Sequence, residues 1–392
     1  MKKISLIIAF LSIFNIVFAQ QDVQKKLQRQ FIMAKDGSTI KIEAGTFAIS
    51  STISLEGKKN IVIEGEGMDK TILNFATQTE GAEGIRVSNC ENIIIRNLNV
   101  QESKGDAIKT MNVKNIVFQK VKTEWLGEPD EKNGGYGLYP VQCQGVTIDA
   151  CEAIGASDAG IYVGQSQDIK VFNCKAHHNV AGIEIENSIN AEVFDNEASN
   201  NTGGILVFDL PDLIQKKGGN VKVYHNNIHH NNFRNFAPKG NIVATVPAGS
   251  GVMILATNNV EIFDNQIINN NSASCSIVSY YMTEIAIKDK DYYPYPTNIT
   301  IRNNVFEREN MRFQGKGRMK LLYKYKLRFG KNIPHIIYDG IVDKNTLDEN
   351  GKVKTNARIC IFDNKNATFA NLDAENGFKN IDKDITKFAC GK

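Results

Sequence analysis

Short runs of branched aliphatic residues recur along the chain at a nearly constant interval. GIYV at Gly160, GIEI at Gly182 and GILV at Gly204 start 22 residues apart. Within each run alternate side chains point to opposite faces, so Ile161 and Val163 face a core while Tyr162 faces out. The same strand type reads TISL at Thr52, GIRV at Gly84, AIKT at Ala107, GLYP at Gly137, GVMI at Gly251 and SIVS at Ser276. A second type begins eight residues after seven of these nine, as in NIVI at Asn60, DIKV at Asp168 and NVEI at Asn259. NVKV at Asn220 and NITI at Asn298 follow at a longer interval, and a weaker tenth copy pairs GIVD at Gly340 with RICIFDN at Arg358.

Self-similarity with a fixed period of about 22 residues, carried by short strands, is the mark of a solenoid. The leucine framework of leucine-rich repeats is absent. Asparagine instead follows the second strand at Asn196, Asn226, Asn265, Asn304 and Asn364. Asparagine tolerates tight-turn backbone and can bond to its counterpart one rung away, which suits a stacked turn. The pattern predicts an all-β fold, a single-stranded right-handed parallel β-helix with three strands per coil and about ten coils. Its span is residues 37–305.

A solenoid exposes strand edges at both ends and must cover them. Val23, Leu27, Phe31 and Ala34 fall at helical spacing, which predicts a capping helix within residues 20–36. Regularity fades after Phe306, so residues 306–392 are read as irregular coils and a cap. Residues 1–19 combine Lys2 and Lys3, an apolar run and Val17-Phe18-Ala19, the three parts of an export signal. The run is shorter than a membrane span needs and Asn15 interrupts it. The chain is therefore expected to be secreted or periplasmic, without membrane insertion.

The formal charge of +3 drops to +1 without Lys2 and Lys3, which gives no long-range attraction to nucleic acid. A local basic run between Arg312 and Lys331 is read as a solvated loop. Of seven cysteines, Cys360 and Cys390 lie in the terminal segment and are the candidates for a disulfide. Cys90 and Cys143 share a turn column two coils apart, too far to bridge. Cys151 and Cys174 occupy the asparagine-ladder position and are read as stacked thiols.

Chemistry is expected where the rhythm breaks. Insertions at 123–136, 210–219 and 232–250 would wall the face made by the first strands, and solenoid insertions often border a binding face. The outward column there reads Arg86, Lys109, Tyr139, Tyr162, Glu184, Leu206 and Met253, at roughly 5 Å per coil. Beside it run Val141, Gly164, Glu186 and Phe208, then Gln142, Gln165, Asn187 and Asp209. Arg86 and Lys109 could neutralise a uronate carboxylate, with Gln142, Gln165, Asn187 and Asp209 as further substrate-binding groups. Tyr139 and Tyr162 could serve as acid or base. Glu184 and Glu186 share a strand, and their repulsion could raise one pKa toward proton transfer. These four are the candidate catalytic residues, and an acidic polysaccharide is the expected partner of a monomeric chain.

No metal site is assigned and no cofactor is predicted. Calcium remains possible through Asp158 and the acidic loop Glu128-Pro129-Asp130-Glu131. His177-His178 and His229-His230 occupy the same turn two coils apart, about 10 Å, too far to share one ion. They are read as polar turn ladders, with metal handling as a lesser alternative. Phe172, Phe194, Tyr224, Phe263 and Phe362 form an outward aromatic column, expected to be covered by a loop or by the terminal segment.

The stretches YGLYPVQC, SDAGIYVGQS, AGIEIENS and TGGILVFDLP resemble secreted β-helices of the pectin-lyase-like superfamily. From about Gly37 to Tyr281 the chain is similar to the repeat family grouped with mannuronan C5-epimerases and periplasmic carbohydrate-binding β-helices. The resemblance implies action on polysaccharides as lyase, hydrolase or epimerase, with the groove on the first-strand face. The D-P-H-D motif of the epimerases and the G-H-G motif of polygalacturonases are missing, so no catalytic residue carries over. The reading is a lyase or C5-epimerase acting by proton abstraction beside a uronate. The alternative is a non-catalytic glycan-binding or cell-envelope scaffold.

Overall fold

The computed structural model describes residues 23–309 and 320–390. The expected export signal, residues 1–19, and residues 312–319 of the basic run lie outside the described residues. Eleven parallel strands, stacked in chain order, make the first sheet. They run from Ser51–Glu56 through Tyr136–Val141, Ala159–Gly164, Ala181–Glu186 and Gly203–Phe208 to Phe369–Asn371. The second and third strands of each coil build a nineteen-stranded parallel sheet. The fold is thus the parallel β-helix that the repeat predicts. The tenth copy is displaced: its first strand is Ile336–Tyr338, and GIVD at Gly340 lies after it. The β-helix also extends past residue 305, through Ile359–Phe362 and Phe369–Asn371.

The stacking follows from what each position must satisfy. Inward residues such as Ile161, Val163, Ile183 and Ile205 are fully buried in one continuous core. The asparagine ladder is inside as well. Asn226 Nδ2 donates to the Val193 and Tyr224 carbonyls at 2.9 and 3.0 Å and to Asn265 Oδ1 at 3.0 Å. Its Oδ1 accepts from Asn196 N and Nδ2, both at 3.0 Å. Each ladder asparagine thus satisfies the turn backbone of its own rung and the next, which buried polar groups require. A second ladder of Asn179, Asn201, Asn231 and Asn270 does the same after the third strands. Opposite the first ladder, residues entering the second strand, including Asp168, Asn190, Asn220 and Asn259, hold φ between 52° and 59°. Asparagine and aspartate tolerate that left-handed backbone best among residues with a Cβ.

A helix over residues 23–33 closes the first end. Leu27 and Phe31 are buried in the core. Gln24 Oε1 accepts from Ser50 N at 2.7 Å, while Gln28 exchanges bonds with the Ser54 amide and carbonyl at 3.1 and 3.2 Å. Two glutamines four apart on one helical face thereby occupy edge groups that would otherwise invite another strand. At the other end Cys360 and Cys390 form a disulfide, with Cα atoms 5.2 Å apart. Cys90, Cys143, Cys151, Cys174 and Cys275 are free and buried. Among the described residues no helix is long and apolar enough to cross a membrane.

The aromatic column departs from expectation. Phe172, Phe194, Tyr224 and Phe263 stack nearly parallel at 5.1, 5.0 and 4.9 Å. Arg302, in register with Phe263, sets its guanidinium 4.3 Å from that ring. The rings therefore cover one another and turn half-buried edges outward, and the cover expected from a loop is supplied by the stack itself.

Candidate functional site

The register of the first sheet places Arg86 beside Lys109, Lys109 beside Tyr139, Tyr162 beside Glu184, and Glu184 beside Leu206. The predicted column is real. Its exposure changes along the way. Arg86, Lys109 and Tyr139 are half-exposed, whereas Tyr162, Glu184 and Glu186 are 4%, 1% and 8% exposed. The groove expected to be open along its whole length is therefore roofed from Tyr162 onward.

The roof is the insertion at 232–250. Phe236, Val243 and Val246 pack with Tyr162, Ala181, Leu206 and Phe208 in a second apolar cluster. Asn235 Nδ2 holds the loop's shape through the Val243 and Val246 carbonyls at 2.8 and 2.9 Å. The bonds that tie it down include Asn241 Nδ2 to Asp158 Oδ2 at 2.9 Å, Arg234 to the Pro129 carbonyl of the first insertion at 2.8 Å, and Thr202 Oγ1 to the Arg234 carbonyl at 3.1 Å. Asn241→Ala is expected to weaken loop docking by about 1 kcal/mol. Faster amide exchange confined to residues 232–249 would register it.

Beneath the roof lies a cluster of acids and tyrosines. Tyr162 Oη donates to Glu186 Oε1 at 2.6 Å. Gly164, which pairs with Glu186, makes this possible: a Cβ there would lie 2.3 Å from the Tyr162 ring, so the ring folds back along its own strand only over glycine. Tyr136, Tyr139 and Tyr162 form a triangle with ring centroids 4.4, 4.5 and 5.0 Å apart. Tyr136 adjoins Asp158 and favours its ionised form. Toward the open end, Lys109 Nζ lies 3.7 Å from Asp106, 4.0 Å from Glu83 and 4.6 Å from the Tyr139 ring centroid.

Burial governs the proton affinities. It lifts Glu186 to about 7 against the opposing Tyr162 bond. Burial and the charge of Glu186 lift Asp158 to about 7. Asp106 rises to about 6, mainly by burial, with Lys109 pulling it down. Glu184 is pushed well above the carboxylate range by burial, then by Glu186 and Asp158. Among the described residues neither Glu184 oxygen has a hydrogen-bond partner. Burial also raises the three tyrosines. The cluster can store and pass protons near neutrality, and at its mouth Lys109 is paired with Asp106 and Glu83.

The remaining predicted binding groups fall elsewhere. Gln165 Oε1 accepts from the Ile214 and Gln215 amides at 3.0 and 3.3 Å. Asn187, fully buried, is bonded to Leu210 N and O at 2.7 and 2.8 Å. Asp209 Oδ1 takes the Gly218 amide at 2.8 Å. These three anchor the 210–219 insertion and are drawn away from an open groove; Gln142 stays half-buried. Sequence reasoning missed Asp106 and Tyr136. Asp106 lies just before its strand and Tyr136 opens its own, positions that the four-residue strand pattern does not mark. Among the described residues no three His, Cys, Asp or Glu side chains converge on one point.

The chain folds as a parallel β-helix. Residues 59–214 match the family model described as a right handed beta helix region. The solved A-module of Azotobacter vinelandii mannuronan C-5 epimerase AlgE4 is similar over 88% of this chain and 90% of its own, at 15% identity and a TM-score of 0.50. The AlgE6 A-module from the same organism aligns over 82% and 86%, at 15% identity and a TM-score of 0.48. A pre-neck appendage protein of Bacillus phage B103 is 26% identical over 185 residues, 38% of this chain and 21% of the phage protein. At these identities the likeness concerns the fold.

Proposed function

We propose that this chain is an exported polysaccharide-active β-helix acting on a uronate-containing glycan, as a lyase or C5-epimerase that abstracts the proton beside the uronate carboxyl. The observation that carries the reading is the Tyr162–Glu186 bond of 2.6 Å within an acid–tyrosine cluster whose mouth is lined by Lys109. Arg86 and Lys109 hold the substrate carboxylate, which acidifies the adjacent C–H by drawing charge from it. Tyr139, half-exposed and in register with Lys109, meets the sugar first. Tyr162 and Glu186, joined by their bond, relay the proton beside the buried Glu184, and this requires the 232–250 insertion to lift. The name of the mannuronan C-5 epimerase neighbour agrees with this substrate class.

Incubation with alginates, pectins and glycosaminoglycans, followed by NMR for unsaturated ends and inverted residues, tests it. Turnover on a uronate, falling at least about 100-fold in Tyr139→Phe and Glu186→Gln, is expected for lost acid–base catalysis. No turnover on any uronate removes the reading. The burial of Tyr162 and Glu184 favours a second one, a non-catalytic glycan-binding scaffold. In that case Tyr162→Phe and Glu184→Gln leave glycan binding intact and no product forms.

A further inference from the structure

Away from the acid–tyrosine cluster, the turn after the third strand repeats one arrangement of side chains. At the end of the strand Lys175–His177, the Nδ1 atoms of His177 and His178 stand 2.9 Å apart. Two coils on, at the end of Asn227–His229, those of His229 and His230 also stand 2.9 Å apart. In each pair the first histidine turns Nε2 to a carboxylate of an adjoining rung, Glu152 at 3.2 Å and Glu197 at 3.3 Å. An Nε2–H held by a carboxylate leaves Nδ1 as a bare lone pair. A carboxylate on the far nitrogen is also what orients metal-bound imidazoles and raises their basicity. Two imidazole nitrogens on one ion, each at about 2.0–2.1 Å and nearly at right angles, lie about 2.9 Å from each other.

The turn is stiff. Asn179, fully buried, donates Nδ2 to the His177 and Ala153 carbonyls, both at 3.0 Å, and accepts the Ala156 amide at 2.9 Å. His178 is in left-handed backbone at φ 60°, so the backbone that carries the pair is fixed by the ladder beneath it. We propose that His177 and His178 form an open chelating site for a borderline divalent transition ion, Cu²⁺ first by intrinsic affinity, oriented by Glu152 and completed by water. The ion takes the place of the proton now shared between the two Nδ1 atoms, and that proton passes to Nε2 of His178.

The second pair is a built-in comparison. His230 Nε2 accepts from Asn269 Nδ2 at 3.2 Å, and Asn269 Oδ1 is fixed by the Glu309 amide at 2.9 Å. That acceptor role locks His230 with its proton on Nδ1, where an ion would have to bind. The His177–His178 pair is therefore the tighter site.

Titration of the full mature chain with CuCl₂ in a non-coordinating buffer, by calorimetry and electron paramagnetic resonance, tests this. The expected result is a first equivalent with hyperfine splitting from two imidazole nitrogens. His178→Asn should abolish it without disturbing the turn, because Asn200 holds the same position on the intervening rung at φ 56°. Glu152→Gln should weaken it about 10- to 100-fold, and His230→Asn should leave it unchanged. No uptake by the wild-type chain, or a first equivalent that survives His178→Asn, overturns the assignment. Loss of that equivalent in His230→Asn instead would overturn it as well. None of these outcomes depends on turnover of any glycan.

Discussion

Asn226→Ala is expected to lower the stability of the β-helix by about 3–5 kcal/mol. The side chain makes five hydrogen bonds on three successive rungs. Removing it leaves the buried Val193 carbonyl and the Asn196 amide without their partners, and an unsatisfied buried group costs about 1–3 kcal/mol. The ladder lies inside the coil at 1% exposure, away from bulk solvent. The exposed neighbour Asn227 supplies the control, and Asn227→Ala should stay within about 0.5 kcal/mol of wild type. Denaturant midpoints compare the two. Near-equal midpoints would mean that strand pairing, and not the ladder, holds the coils in register.

Glu184→Leu is expected to do the reverse, raising stability by about 2 kcal/mol at pH 8 and by much less near pH 4.5. Leucine suits the position because Leu206 occupies the same column one coil on. The pH dependence follows from the direction of the shifts. Glu184, Glu186, Asp158 and Asp209 all bind their protons more tightly folded than unfolded. Between the ordinary carboxylate range, about 4, and the folded values near 7 of Glu186, Asp158 and Asp209, the native state carries more protons, so stability falls as pH rises. The contribution of these three is full below pH 4 and lost above 7, and Glu184 acts in the same direction. Glu124 and Glu152, whose carboxyls are lowered, act oppositely and at more acidic pH. Thermal midpoints from pH 4.5 to 8 should therefore decline in wild type and flatten in Glu184→Leu. A variant less stable than wild type at pH 8 would show that Glu184 is ionised and paired.

The residues divide by how their positions are fixed. Tyr162 and Glu184 could be placed side by side from the sequence because a constant period carries each outward position to the same place on the next coil. The asparagine ladder was legible for the same reason, and so was the spacing of the histidine pairs. Gln165, Asn187 and Asp209 were legible as a row but not as anchors, because their partners lie in an aperiodic insertion. The Nδ1 convergence of His177 and His178 depends on rotamers that no repeat encodes.

The sequence alone determined the solenoid, its strand register and the order of side chains along the first face. A repeating chain has few ways to bury its aliphatic positions, and parallel pairing fixes the rest. Only the tertiary structure decided which part of that face meets water. The roof over Tyr162 and Glu184 hangs on contacts between residues 83 and 105 positions apart, Asn241 with Asp158 and Arg234 with Pro129. Such contacts have no period, and the burial that sets the proton affinities of the cluster exists only once they have formed.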